Sequence, residues 1–172
     1  MGIDDKAIDD LVSAYRDRLE HEKYEGFFAE INASQGERTR GIFRGKHELF
    51  FDEPEYVRVS DGDLHPCPHD YLLATVGGCQ IEILKQCLEK SRIEGYEIDL
   101  EIRSKKAREG VSEERGFIIS DLHTTVTVSV PDEFVTRARR CADTFEDYCS
   151  ISQSVRVGVD IETEAEVVSD AD

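Results

Sequence analysis

Positive charge is in short supply in this chain. Lysine and arginine together number 21 against 38 aspartates and glutamates, a net charge of −17 over 172 residues. Such a balance repels nucleic acid and anionic membranes, so neither is expected as a partner. Lysine is scarcer still, seven residues against fourteen arginines. Acid dispersed along the chain with so little lysine predicts a solvated acidic surface adapted to high salt (a halophilic protein), where screening shortens the range of self-repulsion. Long apolar runs are missing too: no stretch approaches the roughly 20 residues of a helical membrane span. The start, Met1 to Lys6, with two aspartates before its one lysine, lacks a signal peptide's basic start and apolar core, which predicts a cytoplasmic protein. Five cysteines are an odd number, unlike a secreted disulfide framework. In a reducing compartment a disulfide is expected to be transient and catalytic.

What is present is one domain's length of chain, 39% hydrophobic, enough for a core. Two cysteines stand out within it. Cys79 lies in an apolar helical stretch running from Tyr71 through Gly77-Gly78. Cys149 lies seventy residues later, at the end of a second helical stretch. One reactive thiol with a distant partner is the minimal equipment for thiol redox chemistry: the first becomes a sulfenic acid and the second condenses with it. Two inert core cysteines would show the same spacing, because free cysteine is among the most buried residue types.

Periodicity orders the chain as follows. Ile8, Leu11, Val12, Tyr15 and Leu19 predict an amphipathic helix over residues 4–24. Segments at 27–31, 39–43 and 47–51, separated by turn signals, predict an antiparallel meander. After a turn at Asp61-Gly62-Asp63, Pro68 and Asp70 mark the start of a long helix to about Ser91. Its apolar stripe reads Leu72, Val76, Cys79, Ile83 and Cys87, widened by Leu73, Leu84 and Leu88. Gly77 and Gly78 cost that helix about 1 kcal/mol each, which points to a packing or access role. Alternation predicts strands at 96–102 and 117–130, with a charged loop over 105–115 between them. A helix is expected from Pro131 to Cys149, on the stripe Phe134, Ala138, Cys141, Phe145 and Cys149. A last strand is expected on Val155, Val157, Val159 and Ile161. The fold class is therefore α+β, with two central helices on antiparallel sheets. The domain limits are an N-terminal helical arm over 1–25, a core domain over 26–163 and an acidic flexible tail over 164–172.

Two segments then carry a resemblance. Pro68-His69-Asp70-Tyr71-Leu72-Leu73-Ala74-Thr75-Val76-Gly77-Gly78-Cys79 resembles the helix of OsmC/Ohr proteins (osmotically induced and organic hydroperoxide resistance) that leads to the peroxidatic cysteine. Tyr148-Cys149-Ser150-Ile151-Ser152-Gln153-Ser154 resembles that family's second motif, Cys-Pro-[Val/Ile/Tyr]-Ser, which carries the resolving cysteine. The resemblance covers residues 27–163. It implies an intertwined homodimer with active sites at the subunit interface. It also implies reduction of organic hydroperoxides or hydrogen peroxide, with a dithiol reductant, a lipoylated or thioredoxin-like protein, and no cofactor. On it, Cys79 is the nucleophile and Cys149 the resolving thiol.

The sequence departs from the family pattern in two places. His69, a candidate substrate-binding residue, stands where the family has a glutamate that orients an arginine. Arg40 best fits that arginine, a catalytic residue that would stabilise the thiolate, with Arg38 and Arg44 as rivals. Ser150 replaces the usual proline, which suggests a divergent subgroup. Other readings stay open: a non-enzymatic thiol/disulfide module, or a metal- or ligand-binding protein. His65, Cys67 and His69 could offer three ligands to a soft metal, or form a loop holding the helix start. Cys87 and Cys141 read as packing residues and His123 as a satisfied core histidine.

Overall fold

The computed structural model describes residues 29–33, 39–52, 64–107, 118–159, 161 and 163–166. The expected N-terminal helix, the 61–63 turn and most of the 105–115 loop lie outside them, as does the tail beyond 166.

Three strands, β1 (Ala29–Asn32), β2 (Thr39–Phe43) and β3 (His47–Phe51), form the expected antiparallel meander in the order β1-β2-β3. Thr39 pairs with Phe51 and Phe43 with His47. The β2–β3 turn closes through Lys46 N–H to Phe43 C=O at 3.0 Å. Arg44 and Gly45 both have positive φ, 52° and 63°, as a two-residue turn matching the strand twist requires.

Helix α1 (Pro68–Lys90) begins where Pro68 and Asp70 indicate. The Asp70 carboxylate accepts the Cys67 N–H at 3.0 Å, satisfying a donor at the helix start. The meander is tied to this end. Tyr71 donates its hydroxyl to the Phe50 carbonyl at 2.9 Å, and its ring lies 5.0 Å from Phe51. Asp52 accepts the Leu64 N–H at 3.2 Å.

Strands β4 (Glu97–Ala107) and β5 (Ile118–Ser129) pair antiparallel along their whole length, with a register shift at Lys105/Lys106. β4 thus runs into the segment read as loop. Gly77 explains how closely α1 lies on this ribbon. A Cβ there would sit 3.0 Å from Leu100 Cδ2, whereas one at Gly78 would meet nothing within 4 Å. Gly78→Ala is therefore expected to stabilise the fold by about 1 kcal/mol, read as a denaturant midpoint, and Gly77→Ala to gain less or lose.

The second half departs from expectation. The helix predicted from Pro131 to Cys149 is interrupted: a 3₁₀ turn (Asp132–Phe134) leads into α2 (Val135–Thr144), and a second 3₁₀ turn (Phe145–Tyr148) ends at Cys149. The strand expected on Val155 to Ile161 is instead helix α3 (Ser150–Val157), and the described residues that follow it, 158, 159, 161 and 163–166, have no regular structure. Local bonds favour the helix, with Gln153 N–H on the Cys149 carbonyl at 3.0 Å and Gln153 Nε2 on the Glu146 carbonyl at 3.0 Å. The alternating valines signal only that one face could be buried, and here Val157 is 82% and Ile161 86% exposed.

The core joins Leu84, Leu88, Ile93, Ala138 and Cys141, with Ile98, Val126 and Val128 packed against it. Within it Cys87 and Cys141 form a disulfide between α1 and α2, with Cα atoms 5.7 Å apart. Both cysteines pack in this core as expected, and the cross-link comes in addition: which cysteines meet depends on how the two helices cross.

Candidate functional site

The break after Tyr148 builds the site. Cys149 donates its N–H to the Glu146 carbonyl at 3.1 Å, turns to an extended backbone and caps α3. Its sulfur takes the place of the usual oxygen cap, accepting the Ser152 N–H at 3.4 Å. The Ser152 hydroxyl adds a second donor to the same sulfur at 3.2 Å. Cys149 is 0% exposed.

Cys79, on α1, faces this capped turn. The Cys149 thiol, the backbone of Ile151 and the Ser150 side chain all lie near enough to its thiol to shift its ionisation. The chain thus brings together the two cysteines singled out from sequence. Burial pushes the Cys79 thiol above its ordinary value, and the Cys149 hydrogen bond pushes it further. The Ile151 backbone and the Ser150 side chain act in the opposite sense. The first turn of a helix favours negative charge on sulfur. Ser150, where the resembled motif has proline, supplies a side-chain donor that proline lacks.

The remaining candidates lie elsewhere. Arg40 forms an ion pair with Glu48 on the neighbouring strand and is not among the groups that shift Cys79. Arg44 occupies the β2–β3 turn, and Arg38 is outside the described residues. His69 Nε2 lies 2.6 Å from Ser104 Oγ, joining the start of α1 to β4. The His65 ring packs 5.2 Å from Phe50, and Cys67 is buried just before α1. Among the described residues no group of three His, Cys, Asp or Glu side chains is placed to hold a metal ion. His123 is exposed on β5 and not a core residue, because the odd-numbered residues from 121 to 129 of that strand face outward.

Sequence reasoning missed Gln80 and Ser152. The fully buried positions of α1 are Val76, Gly77, Gln80, Leu84 and Leu88. The inward face is therefore centred one residue, about 100° of turn, away from the stripe through Cys79, and Cys79 is only half-buried. Gln80 sits at a step of four from both Val76 and Leu84, a polar residue in phase with apolar ones, and that was the available signal. It donates Nε2 to Ser152 Oγ at 3.0 Å. A cavity of about 440 Å³ lies beside the pair, lined by Leu72, Val76, Gln80, Leu122, Ser152 and Val155 among others. It approaches the thiols through Gln80 and Ser152, and neither sulfur lines it. Two neighbouring thiols, one half-buried and one capping a helix, are equipped for thiol/disulfide interchange.

Comparison with known proteins assigns the architecture. Residues 60–164 match the family described as OsmC-like protein. No curated protein matches. Among solved structures, an OsmC-like protein from Mycoplasma pneumoniae superposes with a TM-score of 0.60 at 10% identity, covering 77% of this chain and 89% of that one. The organic hydroperoxide resistance protein OsmC from Legionella pneumophila gives 0.53 at 13% identity, over 78% and 92%. Organic hydroperoxide resistance protein OhrB of Bacillus subtilis gives 0.52 at 17% identity, over 78% and 93%. At these identities the structures speak for the fold alone, α+β with antiparallel sheets, and the match over 60–164 supplies the family: the chain belongs to the OsmC-like proteins.

Proposed function

We propose that the chain is a thiol-dependent reductase of organic hydroperoxides or hydrogen peroxide. One observation carries this reading: Cys79 on α1 lies beside the first turn of α3, which Cys149 caps, close enough for the Cys149 thiol to shift the ionisation of Cys79. The Cys79 thiolate attacks the terminal peroxide oxygen. The O–O bond breaks, the alkoxide leaves and takes a proton as alcohol, and Cys79 becomes a sulfenic acid. Cys149 then attacks the Cys79 sulfur, forming the disulfide and releasing water. A dithiol reductant, a lipoylated or thioredoxin-like protein, returns both thiols. The turn at Ser150–Ile151 takes the stabilising role expected of Arg40, which Glu48 engages here. His69, bound to Ser104, holds the start of α1 in the role of an anchor. Exposed Val157, Val159 and Ile161 support a homodimer that covers them.

Intact mass after one equivalent of cumene hydroperoxide, with peptide mapping, tests the proposal. The expected product is a Cys79–Cys149 disulfide. Its rate of formation should keep climbing as pH rises above the ordinary thiol value of about 8.5, because burial raises the Cys79 pKa and only the thiolate reacts. Absence of that disulfide sinks the proposal. The raised pKa favours a second reading, a thiol/disulfide switch without turnover. Disulfide formation with no multiple-turnover consumption of peroxide in the presence of a dithiol would establish that one instead.

A further inference from the structure

Gln80 is a neutral amide in the middle of an apolar helix face, 2% exposed, and its Oε1 has no hydrogen-bond partner among the described residues. Leaving a buried carbonyl oxygen unpaired costs stability, which calls for an explanation beyond packing. The other end of the amide provides one. Nε2 donates to Ser152 Oγ at 3.0 Å, and Ser152 Oγ lies 3.2 Å from Cys149 Sγ. A serine hydroxyl has a single proton to give. With Gln80 filling an acceptor site on Ser152, that proton is directed to the Cys149 sulfur. The Ser152 N–H at 3.4 Å joins it, so the buried sulfur faces two donors at the start of a helix. Gln80 is also the residue after Cys79, so the helix that carries one thiol sets the hydrogen bonding of the other.

We propose that Gln80 is a positioning residue acting through Ser152, and that it makes Cys149 the leaving group when an external thiol opens the Cys79–Cys149 disulfide. This rests on the reductase reading and adds the direction of its reductive half. The reductant thiolate attacks Cys79 Sγ, the bond to Cys149 Sγ breaks, and Cys149 leaves as a thiolate held by the Ser152 hydroxyl and N–H. The second thiol of the dithiol then attacks the mixed disulfide on its own sulfur, releasing the Cys79 thiolate and closing the reductant's disulfide. Two electrons pass from dithiol to protein. Access and leaving-group stability both select this direction, since Cys79 is half-buried and Cys149 fully buried.

The test oxidises the protein with diamide, adds one equivalent of glutathione, quenches in acid and maps the peptides. Glutathione on Cys79 with Cys149 free is the expected result, and glutathione mainly on Cys149 overturns the proposal. In Gln80→Leu the preference for Cys79 should weaken several-fold, while Ser152→Thr, which keeps the hydroxyl, should retain it. A second readout needs neither disulfide nor turnover. In a Cys67→Ser, Cys79→Ser background, alkylation of Cys149 by iodoacetamide should slow several-fold on Gln80→Leu and keep its rate on Ser152→Thr. An unchanged rate in Gln80→Leu overturns the role of Gln80. If diamide forms no Cys79–Cys149 bond, the reductase reading fails on its own, and the alkylation rate still decides whether Gln80 acts on Cys149.

Discussion

Cys79→Ser is expected to reduce dithiol-dependent consumption of cumene hydroperoxide by at least roughly a thousandfold, to the level of a protein-free control. The reason is chemical: the attacking species is a thiolate, and a serine hydroxyl at the same place does not ionise near neutral pH. The substitution removes one sulfur from a half-buried site and leaves the core of Leu84, Leu88 and Ile93 untouched, so folding should be preserved. Cys149→Ser should behave differently. The first oxidation proceeds, resolution fails, and Cys79 accumulates as sulfenic and then sulfinic acid, visible by mass. Steady-state turnover is lost while a single reaction with peroxide survives. Steady-state turnover in Cys149→Ser equal to that of the unaltered protein would remove Cys149 from the mechanism. Activity retained in Cys79→Ser would remove the mechanism altogether.

Loss of the Cys87–Cys141 bond is expected to lower stability by up to about 4 kcal/mol, the chain-entropy value for a closed loop whose ends are 54 residues apart. Few contacts in the molecule should matter more, because net stabilities of single domains are about 5–15 kcal/mol. The bond fastens α1 to α2 within the core, and Ile93, Ala138, Leu84 and Leu88 surround it. Urea midpoints of Cys79→Ser protein with and without a reductant measure the effect, the background being chosen so that the Cys79–Cys149 pair cannot contribute. Cys141→Ser should reproduce the reduced protein's midpoint. Its sulfur lies 3.6 Å from Ser91 Oγ and is fully buried, so the replacement also tests how that polar neighbour accommodates a hydroxyl. Equal midpoints in the oxidised and reduced states would show that the cross-link contributes nothing.

Much of the frame was legible because it is written in local chemistry. Pro68 and Asp70 mark the start of α1 by removing one unpaired donor and satisfying another. The period-two alternation of Ile98, Leu100 and Ile102 against charged neighbours is a strand in any context that covers one face. The two thiols were legible as a pair from their motifs. Other features were not, because competing local signals have comparable strength. Over Val155 to Ile161 alternation argued for a strand, but the cap at Cys149 and the Gln153 bonds began a helix there. A stripe including Leu72, Val76 and Cys79 could be drawn on α1, and so could one through Val76, Gln80 and Leu84. Only packing against β4, made possible by the absent side chain of Gly77, selects the second.

The amino-acid order by itself determined the elements from β1 to β5, the α+β class and the two sulfurs suited to redox chemistry, since each depends on neighbours a few residues apart. Tertiary structure alone decided which cysteines cross-link, that Arg40 is engaged by Glu48, and that Gln80 reaches Cys149 through Ser152. The Arg40–Glu48, Cys87–Cys141 and Gln80–Ser152 pairings join residues 8, 54 and 72 positions apart, and no local propensity specifies which side chains will meet once helices and strands have packed.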